Sequence, residues 1–311
     1  MDVIDWLMEG DPAVRWQVMR DVIDEPAESV ARERSGVATE RWGARLLALQ
    51  AEDGQWGGGF YSPKWVSTTY TLLLLRHLGL DPSGAESVRA ASRLRDGGGS
   101  WSDGSGFFEY MGETCVTGMN LALGAYFGVT DRAEEVTTWL LDEQLADGGW
   151  NCQSVKGSVR SSFHTTISVL EGLLEYERSG RGPHLVGKIG AAREHAHDYL
   201  LERRLFHSLS TGDVIDPSWT RFSFPPRWWY DVLRGLDYLR DARVVPDDRW
   251  SDALALLEEK RTGDGRWKLQ NHHKGREHFR MEQPGEPSRW NTLRALRVQR
   301  WVDRSEPAES N

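Results

Sequence analysis

The chain has 311 residues, with 38 Lys and Arg against 47 Asp and Glu, for a formal charge of −9. That balance argues against a nucleic-acid binder, which normally shows a basic face, and 39% hydrophobic with 27% charged residues argues against disorder. Two Cys residues do not make a disulfide framework and point to a reduced, cytoplasmic setting.

The first residues are acidic and lack a basic stretch followed by an apolar one, so no signal peptide is expected. No apolar run approaches the roughly 18 residues of a membrane span. Asp11 and Pro12 read as the N-cap and first residue of a helix over 12–23. A helical stretch over 42–50 leads into Gln50, Gly54 and Trp56, a turn of the form Q-x-x-x-G-x-W, and an apolar helix follows over 65–78. Arg95, Gly99 and Trp101 repeat the turn with Arg in the Gln slot, before a helix over 114–127. A charged helix over 137–144 leads into a second full motif, Gln144, Gly148 and Trp150, with a helix over 163–176 behind it. A degenerate unit falls near 200–212, ahead of a helix over 227–239. Arg261, Gly265 and Trp267 close the series before a helix over 288–301. Strand signals are weak throughout. The 15 Trp residues outnumber the 8 Tyr and 9 Phe because the repeat uses Trp as punctuation.

The helices that follow each turn are apolar nearly all round, as at Leu72 to Leu75 and Ile167 to Leu174, and so belong inside. The preceding helices carry more charge and belong outside. Six of each make an all-α fold, an (α/α)6 barrel of helical hairpins. It forms a single domain over residues 1–302 with a flexible tail over 303–311, overriding a length prior of roughly 150 residues per domain. The turns resemble the QW repeats of the squalene–hopene cyclase and protein prenyltransferase β-subunit superfamily, and the resemblance covers nearly the whole chain. It implies Gln side chains that cap a neighbouring helix end, Trp rings packed on their turns, and a ligand cavity at the N-terminal ends of the inner helices.

Cys115 and His164 stand at the starts of consecutive inner helices, with Glu113 two residues before the thiol. Prenyltransferase β-subunits bind a catalytic zinc through an Asp-x-Cys and a His in a Tyr-His-Thr setting at such starts. The resemblance puts Glu113, Cys115 and His164 in those roles, with Glu in place of Asp. Cys152, just after Trp150, is a fourth or replacement ligand. Thiolate with imidazole suits Zn²⁺, and three ligands with an open position is the catalytic pattern. Asp231, beside Tyr230, is the candidate general acid of a class II-like cyclase, although the chain has no Asp-x-Asp-Asp. Trp65, Tyr70, Trp228, Trp229, Tyr230 and Trp290 would line an apolar cavity able to hold a polyprenyl chain. Arg15, Lys64, Arg227 and Arg289 each precede a Trp at an inner-helix start, a ring that would hold a diphosphate and puts Arg227 and Arg289 among the substrate contacts. The segment 106–112 lacks the basic residues the family places there. Irregular segments over 205–226 and 268–287 read as lids, the latter with His272, His273 and His278 in a solvated loop. These features lead to an isoprenoid-handling enzyme, a transferase or cyclase acting on a hydrophobic small molecule. The alternatives are a cyclase using Asp231, a non-catalytic lipid- or peptide-binding toroid, and a glycan-processing barrel pairing Glu113 with Asp231.

Overall fold

The computed structural model describes residues 1–95, 106–109 and 111–305. Gly99 and Trp101 of the second repeat and positions 306–311 of the tail lie outside them. The described residues are helical, with isolated bridges and no strand. The helices are α1 Val3–Met8, α2 Pro12–Asp21, α3 Ala27–Thr39, α4 Arg41–Ala48, α5 Thr68–Leu78, α6 Ala85–Ala90, α7 Ser92–Arg95, α8 Thr114–Tyr126, α9 Ala133–Asp142, α10 Phe163–Arg178, α11 Val186–Glu202, α12 Val232–Asp241, α13 Ser251–Glu259 and α14 Arg289–Ser305. None is long and apolar enough to cross a membrane.

Local chemistry sets the ends of these helices. Asp11 caps α2, its Oδ1 accepting the Ala13 N–H at 2.9 Å, with Pro12 at the first position. Gly79 ends α5 at φ +85°, and a Cβ there would fall 2.1 Å from the Trp16 ring. Only glycine serves both demands. The carboxylate of Glu282 accepts the Arg289 N–H at 2.7 Å and the Trp290 N–H at 3.4 Å, covering the free donors that open α14.

The two full motifs and the Trp267 variant are built alike. The indole Nε1 of Trp56, Trp150 and Trp267 donates at 2.7 Å to the carbonyl ten residues back, that of Leu46, Leu140 and Leu257. Their backbone N–H groups donate to Thr68, Thr166 and Thr292 Oγ1, at 3.1, 3.0 and 3.0 Å. Each Trp thus ties the end of one helix to the first turn of the next. Gln50 donates to the carbonyls of Gly54 and Arg89, and Gln144 to those of Gly148 and Ala192, so each Gln reaches the next hairpin along the chain.

Helix α5 packs on α8, α8 on α10, α10 on α12, α12 on α14, and α14 on α2. Trp16 Nε1 donates to Leu78 O at 2.9 Å and Gln17 Nε2 to His77 O at 3.1 Å, joining α2 to α5. Helices α3, α9, α11 and α13 lie against α2, α8, α10 and α12 respectively. Contact between α8 and α10 is close because two glycines face each other: a Cβ on Gly172 would fall 2.4 Å from Gly118 O.

Two inner helices begin later than the apolar pattern predicts. Trp65 precedes the start of α5 at Thr68, and Trp228, Trp229 and Tyr230 precede α12, whose N-cap is Asp231. Pro225 and Pro226 stand just before, restricting their preceding residues to extended backbone, and Arg227 takes φ +59°. These aromatic residues therefore stand on irregular backbone rather than on helices.

Candidate metal centre

Both cysteines of the chain meet at the N-terminus of α8. Cys115 occupies the second position of the helix, with Glu113 as its N-cap residue. Cys152 arrives from the turn after Trp150, which Trp150 pins through Leu140 O and Thr166. One ligand atom from each of Glu113, Cys115 and Cys152 lies within 4.8 Å of the other two. Cys152 Sγ accepts the Cys115 N–H at 3.2 Å, the Thr165 hydroxyl at 3.4 Å and, more distantly, that of Thr114 at 3.9 Å. A hydrogen bond from the Cys115 thiol contributes most to stabilising the Cys152 thiolate; against burial, these donors draw its pKa down to about 6. The same bond raises the Cys115 pKa well above its usual range, as do burial and the negative charges of Cys152 and Glu113.

His164 does not join this group. Its Nδ1 accepts the Tyr230 N–H at 2.8 Å, and its ring stands edge-on to Trp219, Trp228 and Trp229 at 5.3–5.6 Å. Although α8 and α10 are neighbours, that bond turns the imidazole toward the start of α12, and Cys152 takes its place beside Cys115. Burial, then the charge of Arg234, brings the His164 pKa down to about 4. The donor set is therefore two thiols and a carboxylate, on three points of one helix start and one turn.

The remaining expected residues divide. Tyr61 and Tyr70 have their hydroxyls 3.0 Å apart, and Trp65 meets Tyr70 edge-on at 4.8 Å. Burial raises both phenol pKa values. Two basic–aromatic pairs interlock here: the Arg227 guanidinium lies 5.5 Å from the Trp65 ring and Lys64 Nζ 5.7 Å from the Trp228 ring. Trp228 stacks on Trp229 at 3.9 Å, and Trp229 on His273 at 5.5 Å. Trp290 is elsewhere, stacked on Phe224 at 4.2 Å. Arg289 turns outward, its Nε donating to Trp6 O, and Arg15 pairs with Glu33, so the four basic residues form no ring.

Both oxygens of Asp231 are engaged: Oδ1 accepts the Arg234 N–H at 2.8 Å, and Oδ2 the Ser223 N–H at 3.0 Å and hydroxyl at 2.6 Å. This is the geometry of a helix cap that also anchors the preceding segment. Tyr230 is buried, its hydroxyl donating to Leu205 O at 2.7 Å, and a Cβ on Gly235 would collide with it. The segment 268–287 is not a free loop. Trp65 N–H donates to Arg276 O, Trp65 Nε1 to Lys274 O, and Thr71 Oγ1 bonds His278 Nε2, strapping it across the approach to α5. Beneath the strap, a space lined in part by Trp65, Arg227 and Phe224 measures about 20 Å³, roughly one water. Trp65 and Arg227 thus line a space no larger than a water rather than one that would hold a polyprenyl chain.

The sequence missed Thr114, Thr165 and Tyr61. Each is next to, or within a few residues of, a candidate it did identify, but only the packing of the turns on α5, α8 and α10 shows which way they contribute. No protein-family profile, curated protein or solved structure gives a significant match to the chain.

Proposed function

We propose that the six inner helices α2, α5, α8, α10, α12 and α14 close into an (α/α)6 toroid of the terpene-cyclase and prenyltransferase type, and that the chain is a zinc-dependent enzyme handling an isoprenoid substrate. The circuit of pairwise contacts supports the toroid, and the shared grammar of the Trp turns supports the resemblance. The observation that carries the enzymatic reading is the convergence of Glu113, Cys115 and Cys152.

These residues fit the group. Thiolates are the ligands zinc prefers, the Cys152 sulfur is already polarised toward thiolate, and three donors leave a position open. Bound there, the metal would lower the pKa of a substrate thiol or water. Thr114 and Thr165 would orient the Cys152 sulfur by their hydrogen bonds. The Tyr61, Tyr70, Trp65, Trp228 and Trp229 side chains would present aromatic faces to an apolar chain, with Lys64 and Arg227 as cations for an anionic leaving group.

The test is elemental analysis of protein purified without chelator, followed by mass spectrometry of products after incubation with prenyl diphosphates and a thiol acceptor. About one zinc per chain, lost in Cys115→Ala and Cys152→Ala but kept in His164→Ala, with a prenylated product, is expected. A metal-free protein overturns the reading. The small space beneath the strap favours a second one, a toroid that binds a lipid or peptide without catalysis; zinc without any product under these conditions would select it.

A further inference from the structure

We infer that a cavity at the opposite ends of the inner helices is a binding site for a small, multiply charged anion of the diphosphate or tricarboxylate class. This cavity measures about 310 Å³, far more than a single water needs. Eight arginines line it against four carboxylates, in a chain whose overall charge is −9. The lining carboxylates are all taken: Glu171 by Arg234, Glu175 by Arg76, Asp237 by Arg297 and Asp241 by Arg178.

Arg34 is the lining arginine with no carboxylate partner among the described residues. It reaches in from α3, its Nε donating to Gly79 O at 2.7 Å and its Nη2 to Tyr126 Oη at 3.0 Å. Its guanidinium lies 5.0 Å from the centroid of the Trp16 ring, and that of Arg20, whose Nε and Nη2 pair with Asp21, lies 4.5 Å from the same ring. Arg76 spends Nε and Nη2 on Glu175, leaving Nη1 without a hydrogen bond among the described residues. An aromatic plate that orients two guanidinium forks, with a third beside them, matches how arginine recognises phosphate and carboxylate groups. His77, in the cavity wall, has its pKa pulled down to about 3, first by burial and then by Arg76, with Arg234 and Arg294 adding to the effect.

The site is separate from the thiol pair. Tyr126 at this end and Cys115 at the other are eleven residues apart on α8, about 16 Å along its axis. The stacked Phe224–Trp290 pair lines the cavity, and Phe224 also lines the small space beneath the strap.

Isothermal titration calorimetry at low ionic strength tests the inference, using sodium diphosphate and citrate in separate arms. The wild-type chain, Arg34→Met and Lys188→Met, an exposed position on α11, are compared. A saturable heat is expected for the wild type in at least one arm, naming a phosphoryl or a carboxylate ligand. Affinity should fall at least about tenfold in Arg34→Met, which keeps the stem but loses the charge, and hold in Lys188→Met. Circular dichroism checks folding. If Arg34→Met is unfolded, Arg34→Lys, which keeps the charge without the fork, should still weaken binding. Absence of saturable heat in the wild type overturns the inference and leaves the guanidiniums as partners of the helix carbonyl ends. So does equal weakening in Lys188→Met, or wild-type affinity in the Arg34 variant that folds.

Discussion

The sulfur of Cys152 behaves unlike a buried structural thiol because four donors converge on it. In metal-free protein, iodoacetamide should label Cys152 with a rate that is half-maximal near pH 6, since only the thiolate reacts. Cys115, which gives up its proton last, should react only at much higher pH. Cys115→Ala removes the largest donor and should move the Cys152 midpoint back toward the ordinary thiol value of about 8.5. Mass spectrometry of the labelled peptides checks both, and two thiols titrating together at the ordinary value would contradict the geometry. A second residue-scale effect concerns histidine. His77 and His197 both have pKa values of about 3, chiefly through burial. The unfolded chain binds protons at these sites below about pH 6.5 and the folded chain does not. Stability is therefore full above that pH and falls as pH drops toward the folded values. Urea midpoints at pH 7 and at mildly acid pH should show the loss, and His77→Gln should flatten the profile.

At the level of single elements, glycine has opposite meanings on two helices. Gly118 and Gly172 let α8 and α10 touch backbone to backbone. Gly118→Ala would bring its Cβ to 2.8 Å of Ser168 O and should destabilise by about 1–3 kcal/mol through overpacking. Gly190 on α11 faces open space, so Gly190→Ala should stabilise by about 0.5–1 kcal/mol through helix propensity. Thermal melts of the two variants should move in opposite directions. The Trp turns are the other repeated element. Trp150→Phe removes the indole N–H and strands Leu140 O in the core, at a cost of about 1–3 kcal/mol in chemical denaturation. The resemblance anticipated the Trp packing on its turn and the Gln50 contact with the end of α6, whereas Gln144 reaches Ala192 in the middle of α11. It did not anticipate the Thr that receives each Trp N–H, because Thr68, Thr166 and Thr292 follow their Trp at unequal distances of 12, 16 and 25 residues.

Across the whole molecule, charge as well as apolar packing joins the inner helices. Asp237 on α12 meets Arg294 and Arg297 on α14 and Arg240 on its own helix, and Arg297 continues to Gln17 and Asp21 on α2. Against burial, Arg297, Arg240 and Arg294 hold the Asp237 carboxyl well below the usual carboxylate range. Asp237→Asn would leave buried guanidiniums without their shared anion and should cost about 3–5 kcal/mol in urea denaturation, far more than a surface pair. These Arg and Asp residues were visible on helices the sequence analysis assigned to the inside. Helices α5, α8 and α10 bring the apolar faces read from the sequence, whereas α12 and α14 bring in charge.

The helical class, the order of the hairpins and their Trp punctuation were legible in the chain because they rest on short-range rules: hydrophobic period, capping residues and a turn motif of fixed spacing. The candidate site was half legible. Glu113 and Cys115 are neighbours in sequence, but Cys152 joins them across 37 residues while His164, an equally good reading of the same pattern, turns to the Tyr230 N–H. Hydrogen bonds between elements made that choice, as they made Asp231 a cap and folded the strap over Trp65. The charged cavity has the same origin: its arginines come from α2, α3, α5, α10, α12 and α14, and no spacing within one segment encodes their meeting. Periodicity and spacing act within a helix or a turn, whereas the chemistry of both sites depends on which helix ends the packing brings together.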